Sequence, residues 1–191
     1  MTRIKPPIYG GRSLVNLMAE LEARWSGTSE SPRLANDLRA KIPEGRSTVL
    51  VLFDGLGSHQ LRHPNAIELA ADHTDDLDAP FPTTTTVSLA TVATALPPSK
   101  HGLIAYQLWL PNIGKIVNTI HMTTMWGDRI DQDHVSFLPK FNLWERLTHA
   151  GVDVTTVQPD HFDRTPLSLA LYRGASFAPY RTLHDAAEQV V

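Results

Sequence analysis

The chain has 191 residues, with 17 Lys and Arg against 20 Asp and Glu, a formal charge of −3 and no cysteine. Hydrophobic residues make up 42% and charged ones 19%, the balance of a folded chain rather than a disordered tail, and the length suits one domain with a full core. The charge balance argues against broad affinity for a nucleic-acid polymer. The missing cysteines exclude disulfide and thiolate chemistry, and no apolar run approaches the ~20 residues of a bilayer span. The first seven residues hold no apolar core of a secretory signal, so a cytoplasmic protein without membrane partners is expected.

Ser13 predicts the N-cap of a helix running to Trp25, with Leu14, Leu17, Met18, Leu21 and Trp25 on one face. Residues 26–30 read as a loop. Ser31 and Pro32 then predict an N-cap and a first helical position, with Leu34, Leu38 and Ile42 on one face. Residues 48–53 are apolar on both faces, which predicts a strand in the middle of a parallel sheet covered by helices on each side. The run ends at Asp54, followed by Gly55-Leu56-Gly57 and a helix carrying Leu61, Ile67, Leu69 and Ala70, with a bend near Pro64. Residues 72–78 are an acidic, solvated loop.

Four threonines, Thr83 to Thr86, lead into residues 87–96, rich in Ala, Thr and Val, which predict a close-packed buried helix stopped by Pro97 and Pro98. Residues 105–110 and 115–120 predict a hairpin turning at 111–114. Asn142 with Glu145 predicts a capped helix closed by Gly151, residues 152–157 a strand, residues 165–172 a short helix, and Thr182 with Asp185 a further helix start. This alternation predicts an α/β layered fold. The last helix reaches Gln189-Val190-Val191 with no glycine, basic last turn or proline, so residues 1–191 are expected to be a single α/β domain forming the N-terminal portion of a longer catalytic domain. The alternative is a natural C-terminal helix docked on the sheet.

Two features carry chemistry. Ligands of open α/β sheets gather at the carboxyl ends of strands, and Asp54 sits at such an end beside two glycines that let a ligand approach. By itself this is also the signature of a helix N-cap. A hydroxyl at a helix N-terminus, as in the threonine run, lies among free N–H groups and is a natural neighbour for phosphate. It becomes a nucleophile where a metal lowers its pKa. Threonines also favour strands and caps, so the run in isolation reads first as structure.

Asp54 after an apolar strand, Phe81-Pro82-Thr83-Thr84-Thr85 opening a small-residue helix, Thr94-Ala95-Leu96-Pro97 and then His101-Gly102 together resemble the alkaline phosphatase superfamily, in particular its nucleotide pyrophosphatase/phosphodiesterase branch. The resemblance is clear over residues 48–106. It implies a three-layer α/β/α fold with a mostly parallel central sheet and a metal-dependent hydrolase of phosphodiester or pyrophosphate bonds. By position, Asp54 matches the first metal-binding aspartate. Thr85 matches the nucleophile that also contacts the metals, and His101 a residue that fixes the following turn. Two divalent metal ions, zinc in kind, and a small-molecule phosphodiester or nucleotide substrate are implied.

Nucleotide-processing members carry Asn a few residues after His-Gly where this chain has Tyr106, whose hydroxyl is a candidate donor to a non-bridging phosphate oxygen; Ala95 stands for the usual Gly. The family's Asp-x-x-x-His, Asp-His-Gly and late His do not occur here, so most metal ligands are expected beyond residue 191 and little turnover from this chain alone. Asp160-His161 and Asp131-x-Asp133-His134 read as solvated loops. His59, His63, His73, His121, His149 and His184 carry no assigned role. Trp109, Trp126 and Trp144 read as core residues, with a base-stacking pocket as the alternative. A phosphomonoesterase, phosphonate hydrolase or sulfatase of the same superfamily stays open, as does a non-catalytic anion-binding module.

Overall fold

The computed structural model describes residues 6–130, 138–139 and 141–190. The fold is mixed α/β, and helices build its centre. Helix α1, Leu14–Ser26, starts where Asn16 Oδ1 accepts from both the backbone N–H and the hydroxyl of Ser13, and ends at Gly27, whose φ of +80° turns the chain away. A second helix is expected from Ser31. The chain forms only the short α2, Asn36–Arg39, because Ser31 spends its hydroxyl on the carbonyl of Ala95 at 2.6 Å instead of capping a helix. Leu34 and Leu38 are nevertheless buried.

Two single 3-10 turns, Gln60–Arg62 and Pro64–Ala66, then precede the brief α3, Ile67–Ala71. The expected small-residue helix is α4, Thr85–Thr94, followed by the one-turn α5, Pro98–His101. Helix α4 separates two apolar clusters. Val92 packs with Met18, Leu21, Leu143 and Leu147, whereas Ala90 and Ala93 pack with Leu103, Leu138, Ala170 and Leu171. Alanine at these positions lets the neighbouring elements approach closely, which fixes α4 on both sides.

Strands β1, Gln107–Leu110, and β2, Lys115–Asn118, form the expected hairpin, extended by β3, Thr123–Thr124, and the three-stranded sheet is antiparallel throughout. Helix α6, Leu143–His149, carries the reciprocal bonds between Asn142 and Glu145. Strand β4, Thr155–Pro159, helix α7, Pro166–Leu171, and strand β5, Ser176–Tyr180, form a parallel unit, and α8, Leu183–Glu188, follows Thr182.

The expected mostly parallel central sheet is not formed among the described residues. Among the described residues the parallel strand pair is β4 with β5, and one isolated parallel bridge joins Ser13 to Asp78. The reason lies in residues 48–53. They belong to no strand, and Val49, Leu50, Val51, Leu52 and Phe53 are all exposed. A strand apolar on both faces needs neighbours and cover on each side, and the described elements provide none here.

Buried charge is paired. Glu20 is fully buried on α1 and accepts from Arg24, Arg33 and Arg39, and the Arg33 hydrogen bond leads in pulling its carboxyl down to about 2. Glu22 accepts from Arg146, which also bonds the carbonyl of Thr94 at 2.9 Å and so ties α6 to α1 and α4. Among the described residues no helix is long and apolar enough to cross a membrane.

Candidate functional site

Thr85 is the first residue of α4. Thr84, at the N-cap, is extended (φ −130°, ψ 155°), and its side chain makes no capping hydrogen bond. The first turn of an α-helix has no intrahelical acceptors for its N–H groups, so the backbone there presents donors at the positive end of the helix dipole. The approach to α4 is pinned: the amide of Phe81 donates to Tyr9 Oη at 3.0 Å and that of Thr84 to the carbonyl of Pro82 at 3.0 Å. One turn in, Thr86 and Val87 are buried, while Thr85 itself is exposed.

Asp54 ends the extended run and is followed by Gly55 at φ +70°. The structure brings Asp54 and Thr85 together. Thr85 Oγ1 lies 3.2 Å from Asp54 Oδ2 and 3.3 Å from Oδ1, across 31 positions of sequence. These separations exceed the usual range for a hydroxyl donor, so the hydroxyl faces the carboxylate without being locked to it. Both groups are exposed and open to a ligand.

His101 plays a different part. The amide of Leu103 donates to Nδ1 at 3.2 Å, which assigns the proton to Nε2, and Nε2 then donates to Thr91 Oγ1 at 3.1 Å. Burial lowers its pKa to about 4, so the ring is a neutral clamp between α4 and the turn after α5. Thr91 is the partner that sequence reasoning missed. Its only sequence signal is its place on the buried face of α4.

Tyr106 is exposed, and its carbonyl accepts from the amide and hydroxyl of Thr119. Among the described residues no hydrogen bond joins it to Thr85 or Asp54. Asp160 opens the exposed 3-10 turn Asp160–Phe162 and pairs with Arg181 at 3.1 Å, and Asp131, Asp133 and His134 lie outside the described residues. In the acidic loop, Asp75 binds Lys41 while Asp76 binds Ser58 and His73. Among the described residues no group of three or more His, Asp or Glu is placed to hold a metal.

The tryptophans divide. Trp144 is half-buried against the Met18–Leu143 cluster as a core residue. Trp109 and Trp126 are not core residues: they are 61% and 86% exposed. Strand alternation carries the signal for Trp109, since Leu108 faces the core and its neighbour must face out.

Thr85 thus presents an exposed hydroxyl at an uncapped helix start with the Asp54 carboxylate beside it. A family model described as type I phosphodiesterase / nucleotide pyrophosphatase matches residues 48–173, a span that includes Asp54, Thr85, His101 and Tyr106. No curated protein and no solved structure matches the chain.

Proposed function

The chain belongs to the type I phosphodiesterase / nucleotide pyrophosphatase family, and from that premise we propose that it carries the nucleophile of a metal-dependent hydrolase of phosphodiester or pyrophosphate bonds. The observation that supports this reading most directly is the approach of Thr85 Oγ1 to Asp54 Oδ2 at 3.2 Å. On this reading Thr85 Oγ1 attacks phosphorus. A P–O bond forms to Thr85 as the bond to the leaving oxygen breaks, and the hydroxyl proton passes through solvent to that departing oxygen. The N–H groups of the first turn of α4 donate to the non-bridging oxygens. Water then attacks phosphorus, the bond to Thr85 breaks, and the threonine oxygen takes up one proton of that water, whose hydroxyl stays on phosphorus.

The oxygen donors of Asp54 and Thr85 suit a divalent ion such as zinc. Two such ions would lower the hydroxyl pKa and neutralise charge on the transferred group. Two donors are too few to hold them, and on this reading the rest of the ligand set lies outside the described residues. The reading also includes a small-molecule ester or nucleotide substrate, a weak contact from the Tyr106 hydroxyl to a phosphate oxygen, a cytoplasmic location and an alkaline-phosphatase-like layered fold around residues 48–53.

The test is hydrolysis of a bis-aryl phosphodiester by the protein at its natural full length with added zinc. Thr85→Ala should lower kcat by roughly a hundredfold or more, and Asp54→Asn should lower both rate and zinc affinity. Acid-quenched intact mass should show a phosphorylated species that Thr85→Ala lacks. A wild-type rate in Thr85→Ala would remove the nucleophile assignment.

A further inference from the structure

Packing fixes the body of α4, but its first turn is the part that its own hydrogen bonds hold least. Phe81, Thr83, Thr84 and Thr85 are exposed, and no side-chain cap closes the helix start. A hold from outside the helix comes from residues 8–16, which lie outside the span 48–173 that the family model matches. Asn16 is fully buried near the start of α1, and both polar atoms of its side chain are used. Its Oδ1 accepts from the amide and hydroxyl of Ser13, and its Nδ2 donates to the carbonyls of Tyr9 at 2.9 Å and Pro32 at 2.8 Å. A buried amide with its hydrogen bonds made is a rigid node. From that node the chain is tied to residues 78–81. The amide of Leu14 donates to the carbonyl of Asp78 at 3.0 Å, and the amide of Asp78 to the carbonyl of Arg12 at 2.8 Å. Asp78 Oδ2 accepts from the amide of Ile8 at 3.1 Å, and Tyr9 Oη accepts from the amide of Phe81 at 3.0 Å.

We propose that Tyr9 is a positioning residue for Thr85: the bond from the Phe81 amide to Tyr9 Oη sets how residues 81–84 enter α4, and so where Thr85 Oγ1 stands beside Asp54. The inference rests on the hydrolase reading. Pro82, Thr83 and Thr84 separate the held amide from Thr85. The amide of Thr84 donates to the carbonyl of Pro82 at 3.0 Å, which closes that stretch into a tight turn, and the carbonyl of Thr84 accepts from the amide of Ser88 as the first bond of the helix. A displacement at Phe81 therefore reaches Thr85 with little slack. Misplacing a reacting atom by ~1 Å costs up to about a hundredfold in rate. A purely structural tyrosine hydroxyl would behave differently, since its loss would lower stability and leave the turnover of the folded protein as it was. Ser31 provides that contrast on the same helix, because its hydroxyl holds the far end of α4 through the carbonyl of Ala95 at 2.6 Å.

Tyr9→Phe removes the hydroxyl, keeps the ring and is checked for folding by circular dichroism. In the full-length protein with zinc and a bis-aryl phosphodiester, it should lower kcat by roughly tenfold and leave KM within about twofold. Ser31→Ala should lower stability and leave kcat unchanged. Amide hydrogen exchange, measured without metal or substrate, should be faster at Thr84 and Ser88 in Tyr9→Phe and unchanged at residues 90–94. A wild-type kcat in Tyr9→Phe beside an inactive Thr85→Ala overturns this proposal and leaves the hydrolase reading standing, whereas a wild-type rate in Thr85→Ala overturns both. An equal loss of kcat in Ser31→Ala ties the rate to the stability of α4 as a whole and overturns the positioning role. A raised KM with kcat unchanged puts Tyr9 in substrate binding and overturns it too. So does slower turnover in Tyr9→Phe with Thr84 and Ser88 exchanging as in the wild type.

Discussion

Helix α4 and the run before Asp54 are both rich in apolar residues and both deliver a side chain to the candidate site, yet Val87, Ala90 and Ala93 of the first are fully buried while Val49, Val51 and Phe53 of the second are each more than half exposed. The difference is not hydrophobicity. A helix closes its backbone hydrogen bonds within itself, so an apolar surface pressed between two clusters is enough to anchor it. An extended segment closes its hydrogen bonds only through neighbours, and among the described residues no ladder pairs residues 48–53. Thr85 is therefore positioned by packing on both sides of its helix, whereas Asp54 follows a segment with almost no burial behind it. The two halves of the site differ in how firmly the described structure holds them.

Large-to-small substitutions should expose that difference most clearly. Leu143 is fully buried between α1 and α4, and Leu143→Ala should cost about 4 kcal/mol in urea unfolding followed by circular dichroism. Leu52→Ala should change stability by no more than about 0.5 kcal/mol, as at other exposed positions. Comparable losses at both positions would mean that residues 48–53 pack against something in solution, and the contrast would fail. Amide hydrogen exchange offers a second view: amides of residues 49–53 should exchange far faster than those of residues 90–94.

Features decided within a few residues were legible from sequence. The caps at Ser13, Asn142 and Thr182 and the hairpin around residues 111–114 form as local turn and capping chemistry dictates, and α4 ends at Thr94, shortly before Pro97. Features that depend on distant partners were not. Ser31 looks like a cap until Ala95 takes its hydroxyl. Residues 48–53 look like a central strand until their neighbours are sought. Strand β5 escaped notice because Pro179 within it argues against a strand from sequence, and its parallel pairing with β4 defines it. The meeting of Asp54 and Thr85 belongs to the same class. No local rule joins positions 31 residues apart, and the expectation came from the ordered family motif rather than from spacing.

Acid should dismantle the buried core in two stages. The folded pKa of His101 is about 4 against 6.5 unfolded, so the fold favours the neutral ring. That contribution is complete above pH 6.5 and is lost as pH falls toward 4; at ~1.4 kcal/mol per unit it is worth roughly 3 kcal/mol. Glu20 follows at lower pH. Its folded pKa is about 2 against 4.5, so its contribution is complete above 4.5 and fades toward 2. Stability measured across pH should slope in both windows. His101→Gln should flatten the upper one and Glu20→Gln the lower one. An unchanged profile in His101→Gln would show that another group carries the upper slope.

The smallest effects come from two helix starts that share one motif. Asn142 Oδ1 accepts from the amide of Glu145 at 2.9 Å, the Glu145 carboxylate accepts from the amide of Asn142, and Asn142 Nδ2 reaches the carbonyl of Leu171 at 3.2 Å. Thr182 and Asp185 repeat the reciprocal bonds at α8, with the Thr182 hydroxyl accepting from the amide of Asp185 at 3.1 Å. Yet α6 buries Leu143 and Leu147, whereas α8 buries no residue. Asn142→Ala should therefore cost about 1–2 kcal/mol of global stability. Thr182→Ala should cost no more than a few tenths, because fraying of α8 exposes no core. Equal losses in urea unfolding would mean that α8 is packed in solution as firmly as α6. The same local bonds would then be worth as much at the edge of the chain as at its centre, and burial would not be what separates the firmly held half of this molecule from the rest.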